Sequence, residues 1–180
     1  MDSLPINQII CGDCVEVMKS FSDNSVDLVV TSPPYDNLRD YKGYVFNFEN
    51  IAKELTRLLK QGGVIVWVVG DQTINGSETG TSFRQALYFK ELGLNLHDTM
   101  IYEKNGCPYP SINRYLPCFE YMFIISKDLP KTVNLLKDRK NRWNKSFGKV
   151  SNRQKDGSLK IVGIKTFKDY GVRFNIWRIN

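Results

Sequence analysis

The chain has 180 residues, 42% of them hydrophobic, which suits one globular domain with a hydrophobic core. No stretch approaches the roughly 20 consecutive apolar residues that cross a membrane, and the N-terminus lacks the charged and then apolar pattern of a signal peptide. We therefore expect a cytoplasmic protein that makes no contact with a membrane.

The formal net charge of +6 is distributed unevenly. Residues 1–130 contain 11 Lys and Arg against 16 Asp and Glu, whereas residues 131–180 contain 14 against 3. Lys and Arg that contact phosphates release bound counterions, so the second segment favours a nucleic-acid partner. A solvated basic tail is the alternative, but aromatic residues interleave with the charges, as on surfaces that stack bases. The basic residues expected to contact DNA are Arg142, Lys145, Lys149 and Arg153.

The four cysteines do not make a convincing metal site. Cys11 and Cys14 have the spacing of a zinc knuckle, but Cys107 and Cys118 stand far apart, and His97 is the only histidine. We expect reduced thiols and no bound metal.

The hydrophobic pattern predicts strands that alternate with helices over residues 8–126. Such alternation favours a mainly parallel sheet covered on both faces, a Rossmann-like α/β fold. Residues 131–180 lack clear periodicity, so we expect a basic, irregular C-terminal segment. The predicted elements are a strand at 8–11, a helix at 15–21, a buried strand at Val26–Val30, a helix at 48–59, a buried strand at Val64–Val69, a helix capped by Ser82 with the face Phe83, Ala86, Leu87 and Lys90, and strands at 99–102 and 121–126.

Polar segments follow the two predicted buried strands. Thr31–Tyr35 comes directly after the first strand, and Gly70 and Asp71 come directly after the second. Ligands of parallel α/β sheets bind beyond the carboxyl ends of the strands. We therefore expect the functional site at this edge.

The segment Ser32–Tyr35 has the chemistry to bind an amino group on an aromatic ring. Two successive prolines fix φ and keep the backbone extended, so the Pro33 carbonyl is a rigid acceptor without a competing helix or sheet donor. Ser32 places a second acceptor beside it, and Tyr35 offers a flat face for stacking. The two acceptors would hold the two N–H groups of an exocyclic amine and turn its lone pair out of the ring plane.

At these residues the sequence resembles a known family. Thr31-Ser32-Pro33-Pro34-Tyr35 matches the (Asp/Asn/Ser)-Pro-Pro-(Tyr/Phe/Trp) motif of DNA methyltransferases that modify cytosine N4 or adenine N6. The segments NSVDLVVTSPPYDNLRDY, IAKELTRLLKQGG and VIVWVVGD are similar to the N-terminal half of the permuted class of these enzymes, in which catalytic motifs precede the cofactor motif. The basic remainder stands in the place of the target-recognition region.

The resemblance implies a site-specific DNA methyltransferase of the restriction–modification kind. It would transfer the methyl group of S-adenosylmethionine directly to a flipped base, with no covalent intermediate and no metal. Residues 1–130 would be the catalytic half, and residues 131–180 would recognise double-stranded DNA. Serine at position 32, where other members have Asp or Asn, favours cytosine N4 over adenine N6.

The resemblance also implies roles for individual residues. The catalytic residues would be Ser32, Pro33, Pro34 and Tyr35. Asp13 would hydrogen-bond the adenine amino group of the cofactor. The other cofactor contacts would be Cys14, Thr31 and Asp71.

The sequence departs from the permuted class in one respect. The class continues, after its recognition region, with a Phe-x-Gly-x-Gly turn that holds the methionine end of the cofactor, and these 180 residues contain no such turn. We therefore expect a truncated or split enzyme of a prokaryote or phage, completed by a second chain or a second copy. The alternatives are an inactive DNA-binding remnant and an RNA or protein amino-methyltransferase.

Overall fold

The computed structural model describes residues 4–36, 43, 45–106, 112–142, 146–166 and 168–178, without the side chains of 146–148 and 164–166. The chain divides into two compact units. Unit 1 contains the residues up to Thr132 and those from Asn175 onward, and unit 2 contains Val133–Phe174. The sequence pattern does not predict the return to unit 1. None of the described helices is long and apolar enough to cross a membrane.

Unit 1 combines three helices with a five-stranded sheet. The helices are α1 (Cys14–Lys19), α2 (Phe48–Leu58) and α3 (Thr81–Glu91), and the strands of the sheet are β1 (Val26–Thr31), β2 (Leu59–Val69), β5 (Asn95–Glu103), β6 (Phe119–Ser126) and β11 (Ile176–Arg178). A short hairpin of β3 (Thr73–Ile74) and β4 (Ser77–Glu78) lies between β2 and α3 in the chain. The strand order is β1-β2-β6-β5-β11. Within this described sheet β6 is antiparallel to its neighbours and the other four strands share one direction, which agrees with the predicted Rossmann-like fold.

The core of unit 1 lies on one face of the sheet. Along β2, Ile65, Trp67 and Val69 are buried, whereas the valines between them are half-buried. Side chains of α2 and α3 pack on the buried face, and the Trp67 indole N–H donates to Gln85 Oε1 at 2.8 Å. The sequence predicts a sheet covered on both faces, whereas the helices in the described residues cover this one face.

The strand β1 lies at the edge of the sheet and is not the buried strand that its apolar sequence predicts. It pairs with β2, and its Leu28 and Val30 side chains are 58% and 66% exposed. Residues 8–11 do not form the predicted strand, and Ile9 is fully exposed. A strand needs neighbours that satisfy its backbone hydrogen bonds, and among the described residues no strand lies beyond β1.

Helix α3 buries a different face from the predicted one. Its N-cap is Gly80, and the predicted cap Ser82 lies inside the first turn. The exposed side includes Phe83 and Leu87. Apolar residues occur on both sides of this helix, and packing on the sheet selects the side that places Phe89 against Trp67, with ring centroids 5.3 Å apart. The buried face consists of Ser82, Gln85, Ala86 and Phe89.

Unit 2 is more regular than the sequence predicts. It contains β7 (Arg139–Lys140), β8 (Ser146–Arg153), β9 (Leu159–Thr166) and β10 (Tyr170–Gly171), which form an antiparallel β8–β9 hairpin and an antiparallel β7–β10 pair. The expectation of an irregular segment is therefore wrong here. Asp156-Gly157 in the connecting turn is a typical hairpin signal, with Gly157 at φ 85°. No described side chain of unit 2 is buried.

Candidate active site

The carboxyl ends of β1, β2 and β5 meet the amino end of β6 at one edge of the sheet, which we call the rim. The strand register fixes this arrangement: Thr31 pairs with Trp67, Val69 with Tyr121, and Glu103 with Phe119. The segments that continue from these strand ends therefore lie close together. Both polar segments expected from the sequence, Thr31–Tyr35 and Gly70–Asp71, lie at the rim.

Tyr35 is half-buried at the rim, and its hydroxyl bonds to residues on two sides. The hydroxyl donates to Glu120 Oε2 at 3.0 Å and lies 2.7 Å from Ser32 Oγ. The other carboxylate oxygen of Glu120, Oε1, accepts from Lys104 Nζ at 3.0 Å. The Tyr35 ring lies beside Gly70, where an added side-chain carbon would come 3.6 Å from ring Cδ2. We call the continuous series of hydrogen bonds through Ser32, Tyr35, Glu120 and Lys104 the rim chain.

Asp36 fastens the end of the Ser32–Tyr35 loop to the segment that follows β2. Its Oδ2 accepts from Gln72 N at 3.1 Å and from Thr79 Oγ1 at 2.6 Å. Partial burial raises the pKa of Asp36, but hydrogen bonds from Thr79, Thr81 and Gln72 outweigh it and leave the pKa below its ordinary value. The φ of Asp36 is 46°, a left-handed conformation that Asp tolerates better than most residues.

Asp71 interacts with the first turn of α3. Its Oδ1 accepts from Ser82 N at 2.8 Å, and its Oδ2 accepts from Ser82 Oγ at 2.5 Å. A carboxylate at a helix N-terminus satisfies a free N–H group and complements the helix dipole. Both oxygens of this expected cofactor contact are thus engaged within the protein.

The three other expected cofactor residues lie at element ends. Asp13 is the N-cap of α1, where its exposed side chain uses Oδ1 to accept two backbone N–H groups at 2.9 and 3.1 Å. Cys14 is the first residue of α1 and an exposed free thiol. Thr31 is the last, half-buried residue of β1. No hydrogen bond between described residues joins Asp13 or Cys14 to the Ser32–Tyr35 loop.

The residues expected to contact DNA belong to unit 2. Arg142, Lys149 and Arg153 are exposed, and Lys145 lies outside the described residues. Lys149 and Arg153 are four residues apart on β8, so their side chains project from the same face of that strand. Arg142 lines a shallow cavity of about 340 Å³. The other residues around that cavity are Lys140, Asn141, Asp169 and Tyr170.

Three residues at the rim are not identified by sequence reasoning: Asp36, Lys104 and Glu120. Asp36 directly follows the Pro-Pro-Tyr motif, and this position in the sequence could have identified it as a site residue. Lys104 and Glu120 flank the strand-like runs 99–102 and 121–126. Their meeting with Tyr35 depends on strand pairing between distant parts of the chain, which the local pattern does not contain.

The fold and the rim together define a class of protein, an α/β domain with a Ser-Pro-Pro-Tyr loop beyond the carboxyl end of an edge strand. The family model described as DNA methylase, N6_N4_Mtase, matches residues 26–180. The chain therefore belongs to the N6/N4 DNA methylase family, as the motif predicts.

Individual relatives agree with this assignment. The chain is 61% identical over 164 residues to the orphan methyltransferase M.BamHII of Bacillus amyloliquefaciens, a match that covers 89% of this chain and 62% of that protein. It is 25% identical over 162 residues to the type II methyltransferase M.SmaI of Serratia marcescens, which covers 67% of this chain and 56% of that protein. The chain thus spans less than two thirds of the length of these relatives.

Two solved structures are similar to this fold. A Thermus thermophilus protein, described as a candidate DNA modification methylase and complexed with S-adenosyl-L-methionine, superposes with a TM-score of 0.53 at 29% identity, over 71% of this chain and 55% of that one. The cytosine-N4-specific PvuII DNA methyltransferase superposes with a TM-score of 0.60 over 93% of this chain and 55% of that one. Its identity is 21%, so this likeness supports the fold alone.

Proposed function

We propose that the chain is the catalytic part of a site-specific DNA methyltransferase, which transfers a methyl group from S-adenosylmethionine to the exocyclic amino group of a flipped base. Cytosine N4 is the favoured target, and adenine N6 is the second. The observation that carries the proposal is the Ser32–Tyr35 loop at the rim of a chain that belongs to the N6/N4 DNA methylase family. The family match also favours DNA over RNA or protein as the substrate.

The chemistry follows from the residues of the loop. The Pro33 carbonyl and Ser32 Oγ would accept the two amino N–H groups, which would turn the nitrogen lone pair out of the ring plane. Tyr35 stacks on the base, and Pro34 keeps the backbone extended. The base must leave the double helix to reach the loop. The loop then acts by positioning and by stabilising the positive charge that develops on the nitrogen.

S-Adenosylmethionine supplies the methyl group, and Asp13 suits its adenine end. The helix cap uses Oδ1 of Asp13, so the exposed carboxylate keeps Oδ2 as an acceptor for the adenine amino group. In this proposal, Cys14 and Thr31 are further contacts of the cofactor. Ser82 donates to both carboxylate oxygens of Asp71. Asp71 therefore contributes to the pocket indirectly, by fixing the turn at Gly70 and Asp71.

Unit 2 supplies the contacts to double-stranded DNA through Arg142, Lys145, Lys149 and Arg153. The exposed edge of β1 is the place where cofactor-binding strands from a second chain would add to the sheet. Its exposed Leu28 and Val30 side chains support this arrangement. The DNA of a prokaryotic or phage-infected cell lies in the cytoplasm, which we propose as the location of the protein.

The proposal is tested with the chain fused to the part of M.BamHII that the match does not cover. The fusion should transfer labelled methyl groups from S-adenosylmethionine to mixed-sequence DNA, and digestion should release N4-methyldeoxycytidine or N6-methyldeoxyadenosine. Ser32→Ala in the same fusion removes one acceptor and should slow transfer by roughly 100-fold. A fusion that binds the cofactor and methylates no amino group of DNA would contradict the proposal.

A further inference from the structure

The rim chain has a fixed direction of hydrogen donation. Lys104 Nζ can only donate, and the ionised carboxylate of Glu120 can only accept. Tyr35 has a single hydroxyl hydrogen, and this hydrogen points to Glu120 Oε2. The oxygen of Tyr35 must therefore accept in its 2.7 Å contact with Ser32, so the hydroxyl hydrogen of Ser32 points to Tyr35.

This direction determines what Ser32 can offer to a ligand. A serine hydroxyl has one hydrogen and two lone pairs, so it can bind either an N–H group or a carbonyl oxygen. With its hydrogen donated to Tyr35, the exposed Ser32 side chain offers only lone pairs. It then resembles the Asp or Asn that other members of the family have at this position, because their side-chain oxygens accept hydrogen bonds.

We propose that Glu120 and Lys104 are positioning residues that make Ser32 an obligate acceptor, so that the rim selects a base with an exocyclic amino group over a base with a carbonyl at the same ring position. This inference rests on the proposed function, because it concerns the base that the loop holds. The side chains of Glu120 and Lys104 are 19% and 31% exposed, so solvent competes less with this pair than with an ion pair on the open surface.

The experiment measures nucleoside binding to the 180-residue chain by NMR titration. The ligands are two pairs that differ in the exocyclic group: deoxycytidine with deoxyuridine, and deoxyadenosine with deoxyinosine. The wild-type chain should prefer the amino member of at least one pair. In Glu120→Leu the Tyr35 hydroxyl can turn toward Ser32, and Ser32 can then donate to a carbonyl. The amino preference should fall by about 2- to 10-fold, the effect of one hydrogen bond.

Three further variants separate the direction of hydrogen donation in the rim chain from a general loss of structure. Tyr35→Phe keeps the ring but removes the acceptor of the Ser32 hydrogen, and should lower the preference as Glu120→Leu does. Glu120→Gln leaves a single oxygen, which the Lys104 ammonium needs as its acceptor, so the amide N–H₂ faces Tyr35 and the preference should fall as it does in Glu120→Leu. Glu103→Leu is the matched control, since it removes a carboxylate paired with Arg178 beside Lys104 without touching the rim chain.

The outcomes distinguish this inference from the proposed function. If Ser32 and Glu120 had only structural roles, both nucleosides of a pair would lose affinity equally in the variants. An unchanged amino preference in Glu120→Leu and Tyr35→Phe would therefore overturn this inference and leave the proposed function standing. If the wild-type chain bound no amino nucleoside, or showed no amino preference, the proposed base-binding function would fail as well. A reduced preference in both variants, with Glu103→Leu unchanged, supports the inference.

Discussion

The two sides of the rim differ in how completely their residues are held. On the Tyr35 side, the loop is joined to β6 through Glu120 and to the segment after β2 through Asp36. On the N-terminal side, residues 8–11 form no strand, and β1 exposes apolar side chains at an open edge. The proposed base-binding side is thus preorganised by contacts within the described residues, whereas the proposed cofactor side is not.

The difference shows that an apolar sequence becomes a strand only where neighbours exist. Residues 8–11 and β1 both have the composition of buried strands. Residues 8–11 remain irregular, whereas β1 forms a strand because it pairs with β2 on one side. The open edge is where the proposed completion by further strands would act. Three predictions test this contrast, and a fourth concerns the binding of DNA by unit 2.

The largest effect is expected from the core beneath the rim. Trp67→Ala should lower the free energy of unfolding by about 3–5 kcal/mol, because this buried side chain packs against Phe89 and bonds to Gln85. Ile9→Ala, on the open side, should change it by less than about 0.5 kcal/mol. Urea denaturation measures both variants. Equal losses would contradict the contrast between the two sides.

The next effect concerns unit 2 and DNA. Neutralising four basic residues together should lower affinity for mixed-sequence DNA by at least about tenfold. The variant should also show a shallower salt dependence, with the slope of the logarithm of the binding constant against the logarithm of salt concentration reduced by about 0.9 for each lost phosphate contact. Fluorescence anisotropy at several salt concentrations measures both quantities. Salt-independent binding of the wild-type chain would exclude the phosphate contacts. The residues to change are Arg142, Lys145, Lys149 and Arg153, and the control set is Lys19, Lys53, Arg84 and Lys90, which are exposed on unit 1.

A smaller effect is expected at Asp71. Asp71→Ala removes the carboxylate that accepts from Ser82 N and Ser82 Oγ, and should cost about 1–2 kcal/mol in unfolding free energy. Asp13→Ala removes the cap of α1, a six-residue helix without buried residues, and should cost about 0.5–1 kcal/mol. A larger loss of unfolding free energy in Asp13→Ala than in Asp71→Ala would contradict the view that the Tyr35 side of the rim is held more firmly than the N-terminal side.

The smallest effect is the pH dependence of Asp36. Asp36→Asn should destabilise the chain by about 1 kcal/mol at neutral pH, since the amide accepts from Thr79 and Gln72 less strongly. The folded pKa of Asp36 lies below its ordinary value of 3.8, so the charge stabilises the fold above that pH and stops doing so as pH falls through the lower folded pKa. The difference in unfolding free energy between wild type and Asp36→Asn, measured by urea denaturation at several pH values, should therefore shrink below pH 3.8. A difference that stays constant down to about pH 2 would be inconsistent with this role.

Local chemistry made part of the site predictable. The prolines after an apolar strand indicate a rigid loop, and the strand-then-loop order places Ser32–Tyr35 at the rim. Glu120 was not predictable in the same way, because it reaches Tyr35 across 85 positions of sequence through the pairing of β2 with β6. The face of α3 was predicted wrongly for a related reason, since the sheet and not the helix sequence selects which apolar side is buried.

The central claim is that these 180 residues hold the base-binding part of a methyltransferase site without the glycine turn that aligns the cofactor. The most direct measurement is transfer of labelled methyl groups to mixed-sequence DNA by the purified 180-residue chain at saturating S-adenosylmethionine. We expect little or no transfer, because alignment can contribute about 7–11 kcal/mol to a well-oriented reaction and excess cofactor cannot restore it. Robust turnover with micromolar cofactor would contradict the claim and show that the chain, alone or as a second copy of itself, completes the pocket.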